Sequence, residues 1–301
     1  MAAVRLSAAG PDGLIGAVAS VYDSERLAAA YAFDRPSVHG RMIRSAGLSG
    51  PVGQAGRALD VGCGAGLSTA ALMPLARQVI GLEPVSAMLA HRQTVAPDAR
   101  FVIGQAERLP FAAGSFDLVA AAGSLNYADL PSALGEAARV LTPDGTFLLY
   151  DFSPGRRSVR GGSLAAWFAS FEQRFPWPPG WQPFDVRELP LAAYGLRLLG
   201  YADVEALLPM TFDGYLRYML SETNVENAVA RGACSAEEAR EWCRQTLATV
   251  FADGEVTVVV PGYVATLSRR PRLCARRPRR WSHPLALRAA VTFSGRAPAS
   301  A

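Results

Sequence analysis

The sequence contains no lysine: all 30 of its basic residues are arginine. That excludes a Schiff-base nucleophile and the lysine of a G-x-x-x-x-G-K phosphate loop. Histidine is scarce too, with only His39, His91 and His283, so imidazole chemistry has few candidates. The four cysteines, Cys63, Cys234, Cys243 and Cys274, form no C-x-x-C pair, and no histidine sits near two of them. This argues against a zinc site and a disulfide framework, so no metal is expected and the thiols are read as reduced. No apolar run reaches the roughly 18 residues of a membrane-spanning helix. The opening stretch MAAVRLSAAGPDGLIGAVASVYDSE mimics a signal peptide only in outline, because Pro11-Asp12-Gly13 interrupts it. A cytoplasmic location is expected.

Among its 301 residues half are hydrophobic, enough for a sizeable core. Charge is unevenly placed. Residues 269–301 carry nine arginines and no acid, whereas residues 1–268 carry 21 arginines against all 26 acids, a net −5. The basic balance therefore reports the tail and not the body. The tail is rich in Arg and Pro, has little periodicity and reads as a solvated, disordered extension.

From residue 57 the pattern alternates. RALDV, QVIGLE, ARFVIGQ, FDLVAAAGS and TFLLYDF read as strands, with LSTAALMPLA, SAMLAHRQT and LPSALGEAARVL as helices between them and TPDG as a turn. This spacing predicts an α/β fold: a Rossmann-like doubly wound sheet, mostly parallel with an antiparallel last strand, covered by helices and carrying a helical insertion. Residues 1–50 read as an N-terminal helical cap segment, with a helix around Gly13–Phe33 and a break at Arg35-Pro36. Residues 51–268 read as the main domain, with the insertion at about 211–252. Within it, 186–200 looks helical, ADVEALLP can be a sixth strand, and EVTVVVPGYVATLS closes the fold with a bend at Pro261-Gly262. Residues 269–301 form the basic tail.

ALDVGCGAG, Ala58 to Gly66, is a glycine turn after a buried strand. Two nucleoside ligands compete for such a turn. The dinucleotide fingerprint is G-x-G-x-x-G with pyrophosphate on the helix N-terminus. Here Gly62, Gly64 and Gly66 bring the third glycine one residue early. Asp60 at the loop mouth is electrostatically wrong beside a pyrophosphate. Beside an ammonium group it contributes about 1–3 kcal/mol as a charge-assisted hydrogen bond. Glu83 ends the second strand and can accept ribose hydroxyls of either cofactor, so it does not discriminate. The third strand ends in GQAERLPF, which faces the adenine side.

LDVGCGAG, VIGLEPVSAML, GQAERLPFAAGSFDLV and RVLTPDGTFLLYDF, in that order, resemble a class I S-adenosylmethionine-dependent methyltransferase. The nearest type is the small-molecule branch similar to ubiquinone and menaquinone C-methyltransferases. The resemblance covers residues 57–152 and makes 51–268 a methyltransferase domain with S-adenosylmethionine as cofactor. It implies that Asp60 and the backbone at Gly62 and Gly64 hold the methionine end, with Gly66 in the same cofactor-binding loop. Glu83 holds the ribose, Pro84 and Met88 flank the adenine, Ala106 offers a backbone amide, and Glu107 lies next to the ring. The stretch from Gly123 to Tyr127 lines the reacting methyl. Gln105 departs from the acid found in many relatives; its amide can still accept from the adenine amino group.

Methyl transfer from a sulfonium is an in-line displacement of an activated group, so alignment and water exclusion supply most of the acceleration. A base is needed only if the nucleophile must lose a proton early. His39 and Tyr127 are the candidates. Tyr22 and Tyr31 can orient an acceptor, Trp181 belongs to an aromatic and proline-rich lid segment, and Tyr215, Tyr218 and Glu222 are spaced to share one helix face. These surroundings suggest an apolar or aromatic small molecule with a polar handle. Nucleic acid is disfavoured, because the body is acidic and GSLNYAD lacks the Asn/Asp-Pro-Pro-aromatic run of base-amino methyltransferases. Two alternatives stand: an NAD(P)-dependent oxidoreductase, and a methyltransferase-like binding protein that has lost catalysis.

Overall fold

A computed structural model describes residues 21–47, 55–161, 163–252 and 254–270. Residues 1–20 of the signal-like start and all of the basic tail beyond Arg270 lie outside the described residues. β1 (Ala55–Val61) sits between β2 (Ala76–Glu83) and β4 (Phe116–Ala122), with β3 (Arg100–Ile103) beyond β2 and β5 (Leu141–Phe152) beyond β4. These five strands are parallel, and Val61 lies opposite Leu82 on one side and Ala121 on the other. The chain runs outward from β1 to β3, then returns to the far side of β1 as β4. A crevice forms at the carboxyl ends of β1 and β4, where this reversal of strand order leaves the sheet edge uncovered.

β8 (Val256–Arg269) then pairs antiparallel with β5, and β7 (Leu196–Met210) pairs antiparallel with β8. A two-residue β6 (Arg157–Ser158) also pairs with β8. The expected mostly parallel sheet with an antiparallel last strand is the fold observed.

Alternate residues of the central strands enter opposite cores, which is why their sequences read as continuous apolar runs. Ala58, Ala120, Leu148 and Tyr150 join one core; Leu59, Val61, Val119, Ala121 and Leu149 join the other. The second core is roofed by α5 (Leu130–Val140), which begins where Asp129 accepts from the Ser132 amide at 3.1 Å. The first core takes α6 (Ser163–Arg174), α7 (Phe212–Leu220) and α9 (Ala236–Leu247), with the short α8 (Thr223–Ala230) between the last two. No helix among the described residues is long and apolar enough to cross a membrane.

Several local expectations are corrected. The stretch 186–200 is not helical beyond a single 3₁₀ turn at Leu191–Tyr194, and from Leu196 it is strand. Its apolar residues fit a helical period, but pairing with β8 decides the conformation, with Leu196 opposite Arg269 and Leu198 opposite Leu267. Arg269 is therefore the end of a strand and not the start of the tail. Where described, the first helix is interrupted: Ser24 accepts from the Leu27 amide at 3.2 Å and starts α1 (Glu25–Phe33) afresh. α2 (His39–Ser45) follows the expected break at Arg35-Pro36. SAMLAHRQT forms a 3₁₀ segment, Ser86–His91, and one turn, α4 (Arg92–Val95), after the regular α3 (Leu67–Leu72). The β8 ladder passes through Pro261-Gly262 without a register shift. An unexpected helix, α6, arises in the aromatic segment because Leu164, Trp167, Phe168 and Phe171 recur at helical spacing and all reach the core.

Candidate functional site

Three glycines turn the chain from β1 into α3. Gly62, Gly64 and Gly66 have φ of +70°, +53° and +100°, the left-handed region that glycine enters without steric cost. Gly62 is also needed for space, since a Cβ there would stand 2.3 Å from that of Ser124. Ser124 follows β4 and donates its hydroxyl to the Val61 carbonyl at 2.5 Å, which ties the two strand ends together.

Glu83 ends β2 directly beside this turn. Its Oε2 accepts the Gly64 amide hydrogen at 2.9 Å and its Oε1 accepts that of Val85 at 3.1 Å. The residue is only 7% exposed, and burial raises its pKa above the usual carboxylate range. Asp60 is placed differently from the expectation. It is fully buried behind the loop and is not part of the cavity wall. Its Oδ2 accepts hydrogen bonds from the Ser68 hydroxyl at 2.6 Å and the Thr69 hydroxyl at 2.7 Å, pinning the first turn of α3 to β1. Its Oδ1 has no partner among the described residues, and burial lifts its pKa to about 6.

A cavity of about 950 Å³ opens over the carboxyl ends of β1, β2, β4 and β5. Gly62, Gly64, Glu83, Pro84, Met88, Gln105, Ala106, Glu107 and Gly123 all line it. Gly66 does not: its Cα faces the Phe101 ring, which a Cβ would meet at 3.3 Å. Glu107 is held by the Asp129 amide at 2.9 Å.

Several aromatic residues also line the wall. Tyr22 donates to the Tyr127 hydroxyl at 3.3 Å and packs edge-on against Tyr31 and Tyr127. Burial pushes the Tyr127 phenol up to about 12. His39 Nδ1 lies 3.0 Å from the Tyr150 hydroxyl, and its ring meets those of Tyr150 and Phe152 edge-on. Burial and the nearby Arg35 charge lower its pKa to about 4, so the imidazole is neutral and weakly basic. Tyr218 and Trp181 also line the cavity, the latter 53% exposed.

Tyr215 is a correction. It is fully buried, donates its hydroxyl to the Gly155 carbonyl at 2.6 Å and packs against Trp167 and Phe251. Three residues on a helix differ by about 60° in direction, enough to turn Tyr215 into the core while Tyr218 reaches the cavity. Glu222 lies past the end of α7, at the N-cap of α8, and still lines the cavity.

Asp151 and Arg35 are among the cavity residues that were not foreseen. Asp151, next to last in β5, lies against Gly123, where a Cβ would stand 2.6 Å from Asp151 Oδ1. Its Oδ1 accepts from the Phe152 amide at 2.8 Å and its Oδ2 from Asn126 Nδ2 at 2.7 Å, while burial raises its pKa. The signal was an acid at the carboxyl end of the strand beside β4. Arg35, between α1 and α2, donates to the Ser221 carbonyl at 3.0 Å and lies 3.4 Å from the Glu222 carboxylate. No local pattern announces that pairing.

Residues 59–149, which contain the turn, Glu83 and Gly123, match the family model described as a methyltransferase domain. Over these residues the chain carries a methyltransferase domain. This methyltransferase domain is similar to the uncharacterized methyltransferase YcgJ of Bacillus subtilis, 30% identical over 172 residues that cover 54% of this chain and 64% of that one. It is also similar to a demethylmenaquinone methyltransferase of Beutenbergia cavernae, 38% identical over 98 residues that cover 32% and 41% of the two chains. The chain thus spans less than two thirds of the length of either relative. A solved structure from Anaeromyxobacter dehalogenans, assigned as a type II methyltransferase, superposes with a TM-score of 0.55 at 20% identity over 78% of this chain and 96% of that one. It shares the fold of the methyltransferase domain.

Proposed function

We propose that this protein transfers the methyl group of S-adenosylmethionine to a small apolar or aromatic acceptor by in-line displacement, in the cytoplasm. One observation carries the reading: the Glu83 carboxylate, the glycine turn and the aromatic wall border a single cavity. The residues fit the cofactor. Each Glu83 oxygen accepts one backbone N–H and keeps a further lone pair for a ribose hydroxyl. Asp60 Oδ1, unpartnered beneath the turn, supplies negative potential for an ammonium group. When bound, S-adenosylmethionine supplies a methyl already activated on a sulfonium.

The same geometry disfavours a dinucleotide. A pyrophosphate needs free backbone amides at the turn, and the Gly64 amide is donated to Glu83. Two buried carboxylates flank the loop, where a diphosphate would be repelled.

The chain's own groups have distinct tasks in this reading. The apolar and aromatic wall excludes water and aligns the acceptor. Asp151, steadied by Asn126 and the Phe152 amide, can take a proton from an acceptor that must lose one. His39, with its lowered pKa, is the weaker candidate.

The test uses donor labelled in the methyl group with a panel of hydroxylated, aminated and carbon-nucleophile arenes. Label in the extract of at least one acceptor is expected. Donor binding with no label in any acceptor would leave the catalytically inactive binding protein as the better reading.

A further inference from the structure

The charged groups on the cavity wall do not balance. Five acids line it, Glu83, Glu107, Asp151, Glu172 and Glu222, against two arginines, Arg35 and Arg156. His39 adds no charge, because burial and then the Arg35 charge lower its pKa to about 4. Both arginines are taken: Arg35 lies 3.4 Å from Glu222 in a buried pair, and Arg156 lies 3.4 Å from Glu172. Glu83 ends β2 and Glu107 follows β3, the side that takes the nucleoside of the cofactor in the methyltransferase reading. Asp151 remains. It belongs to β5, three strand spacings from β2, or about 14 Å.

The Asp151 backbone is held in the sheet opposite Tyr263 of β8, so what this partly exposed residue presents to the cavity is its carboxylate, set against Gly123 of the same wall. Only neutral groups donate to it, the Phe152 amide and Asn126, and it forms no ion pair among the described residues. Each oxygen keeps a lone pair. Burial chiefly raises the phenols of Tyr127 and Tyr263, and the Asp151 charge adds to both, so the three groups are neighbours on the wall. A carboxylate without a counter-charge beside electron-rich rings is a fitting surround for an organic cation. An anionic acceptor would be repelled, and a neutral one would leave the surplus charge uncompensated. We infer that the acceptor is an apolar amine that enters as its ammonium, and that Asp151 selects it and takes its proton. This deepens the methyltransferase reading and rests on it. In the step, Asp151 takes one N–H proton and frees the nitrogen lone pair. The nitrogen–methyl bond forms as the sulfur–methyl bond breaks, with that bonding pair going to sulfur. The products are the N-methylated ammonium, S-adenosylhomocysteine and protonated Asp151.

The test is calorimetric titration of the full chain at neutral pH, saturated with S-adenosylhomocysteine, which carries no sulfonium. The probes are 2-naphthylmethylamine, 2-naphthylmethanol and 2-naphthoate. The amine is expected to bind roughly tenfold or more tightly than either analogue. Asp151→Asn, nearly isosteric, is expected to keep its S-adenosylhomocysteine affinity and lose the preference to within about twofold. With methyl-labelled donor, wild type should place label on the amine nitrogen. Equal binding of the three probes, tighter binding of the alcohol or the carboxylate, binding of none, or a preference that survives in Asp151→Asn would overturn the inference. So would a variant that loses only its preference for S-adenosylmethionine over S-adenosylhomocysteine, since Asp151 would then answer the sulfonium and not the acceptor. If the variant does not fold, the ranking of the three probes on wild type still decides. If S-adenosylhomocysteine fails to bind wild type, the methyltransferase reading falls, and the same titrations without it decide the amine preference separately.

Discussion

The Glu83 carboxylate accepts the Gly64 amide hydrogen at 2.9 Å, so the acid that ends β2 shapes the turn that ends β1. Cofactor recognition and loop conformation therefore share one side chain. The loop glycines around this bond are not equivalent. Gly62→Ala adds a collision with Ser124 to a left-handed backbone, and should cost about 3 kcal/mol or more. Gly64→Ala finds only the Met88 methyl at 3.6 Å, so it should cost about 1–2 kcal/mol, the conformational penalty alone. Urea denaturation of the two variants checks the order.

Asp60 and His39 give stability opposite pH dependences. Burial raises Asp60 from its ordinary 3.8 to about 6, so its folded form holds a proton that the unfolded chain has lost, and stability falls as pH rises through that window. His39 is lowered from 6.5 to about 4, so its contribution is full above 6.5 and is lost as pH falls towards 4. Relative to wild type, Asp60→Asn should gain about 2–3 kcal/mol between about pH 4 and 7. His39→Gln should lose a similar amount over the same range. Denaturation at a series of pH values reads both slopes.

Removing one member of the buried ion pair should cost more than removing both. Arg35→Met leaves the Glu222 carboxylate buried without its counter-charge, and a loss of about 3–5 kcal/mol is expected. Arg35→Met/Glu222→Leu should recover most of that loss. A double-mutant cycle by thermal unfolding measures the coupling.

Tyr215 and Trp181 should separate stability from acceptor binding. Tyr215→Phe strands the buried Gly155 carbonyl, which should lower stability by about 1–3 kcal/mol and leave cofactor affinity unchanged. Trp181→Ala, at an exposed position, should change stability by less than about 0.5 kcal/mol and weaken acceptor binding. Unfolding curves and acceptor titrations on the same two proteins distinguish these outcomes.

The sheet from β1 to β5 was legible because strands buried on both faces leave unbroken apolar runs, and the helices between them keep their own period. Glu83 and Gly64 were legible because they lie at strand ends, where backbone geometry dictates what they face. Asp60 was not, because the hydroxyls of Ser68 and Thr69, on the next helix, take one of its oxygens. Tyr215 was misplaced because α7 divides its apolar face between core and cavity. Arg35 and Asp151 depend on which distant segments meet: Arg35 joins the cap to the helical insertion, and Asp151 reaches Gly123 only through the β4–β5 register. The start of β7, from Leu196, read as helix because its pairing with β8 lies about 70 residues away in sequence.

The most direct measurement is calorimetric titration of wild type and Glu83→Ala with S-adenosylhomocysteine and, separately, with NAD. The account predicts that wild type binds S-adenosylhomocysteine and not NAD, and that Glu83→Ala weakens that binding roughly 10- to 100-fold through lost charge-assisted hydrogen bonds. Binding of NAD in preference to S-adenosylhomocysteine would contradict it and make Glu83 the ribose contact of a dinucleotide.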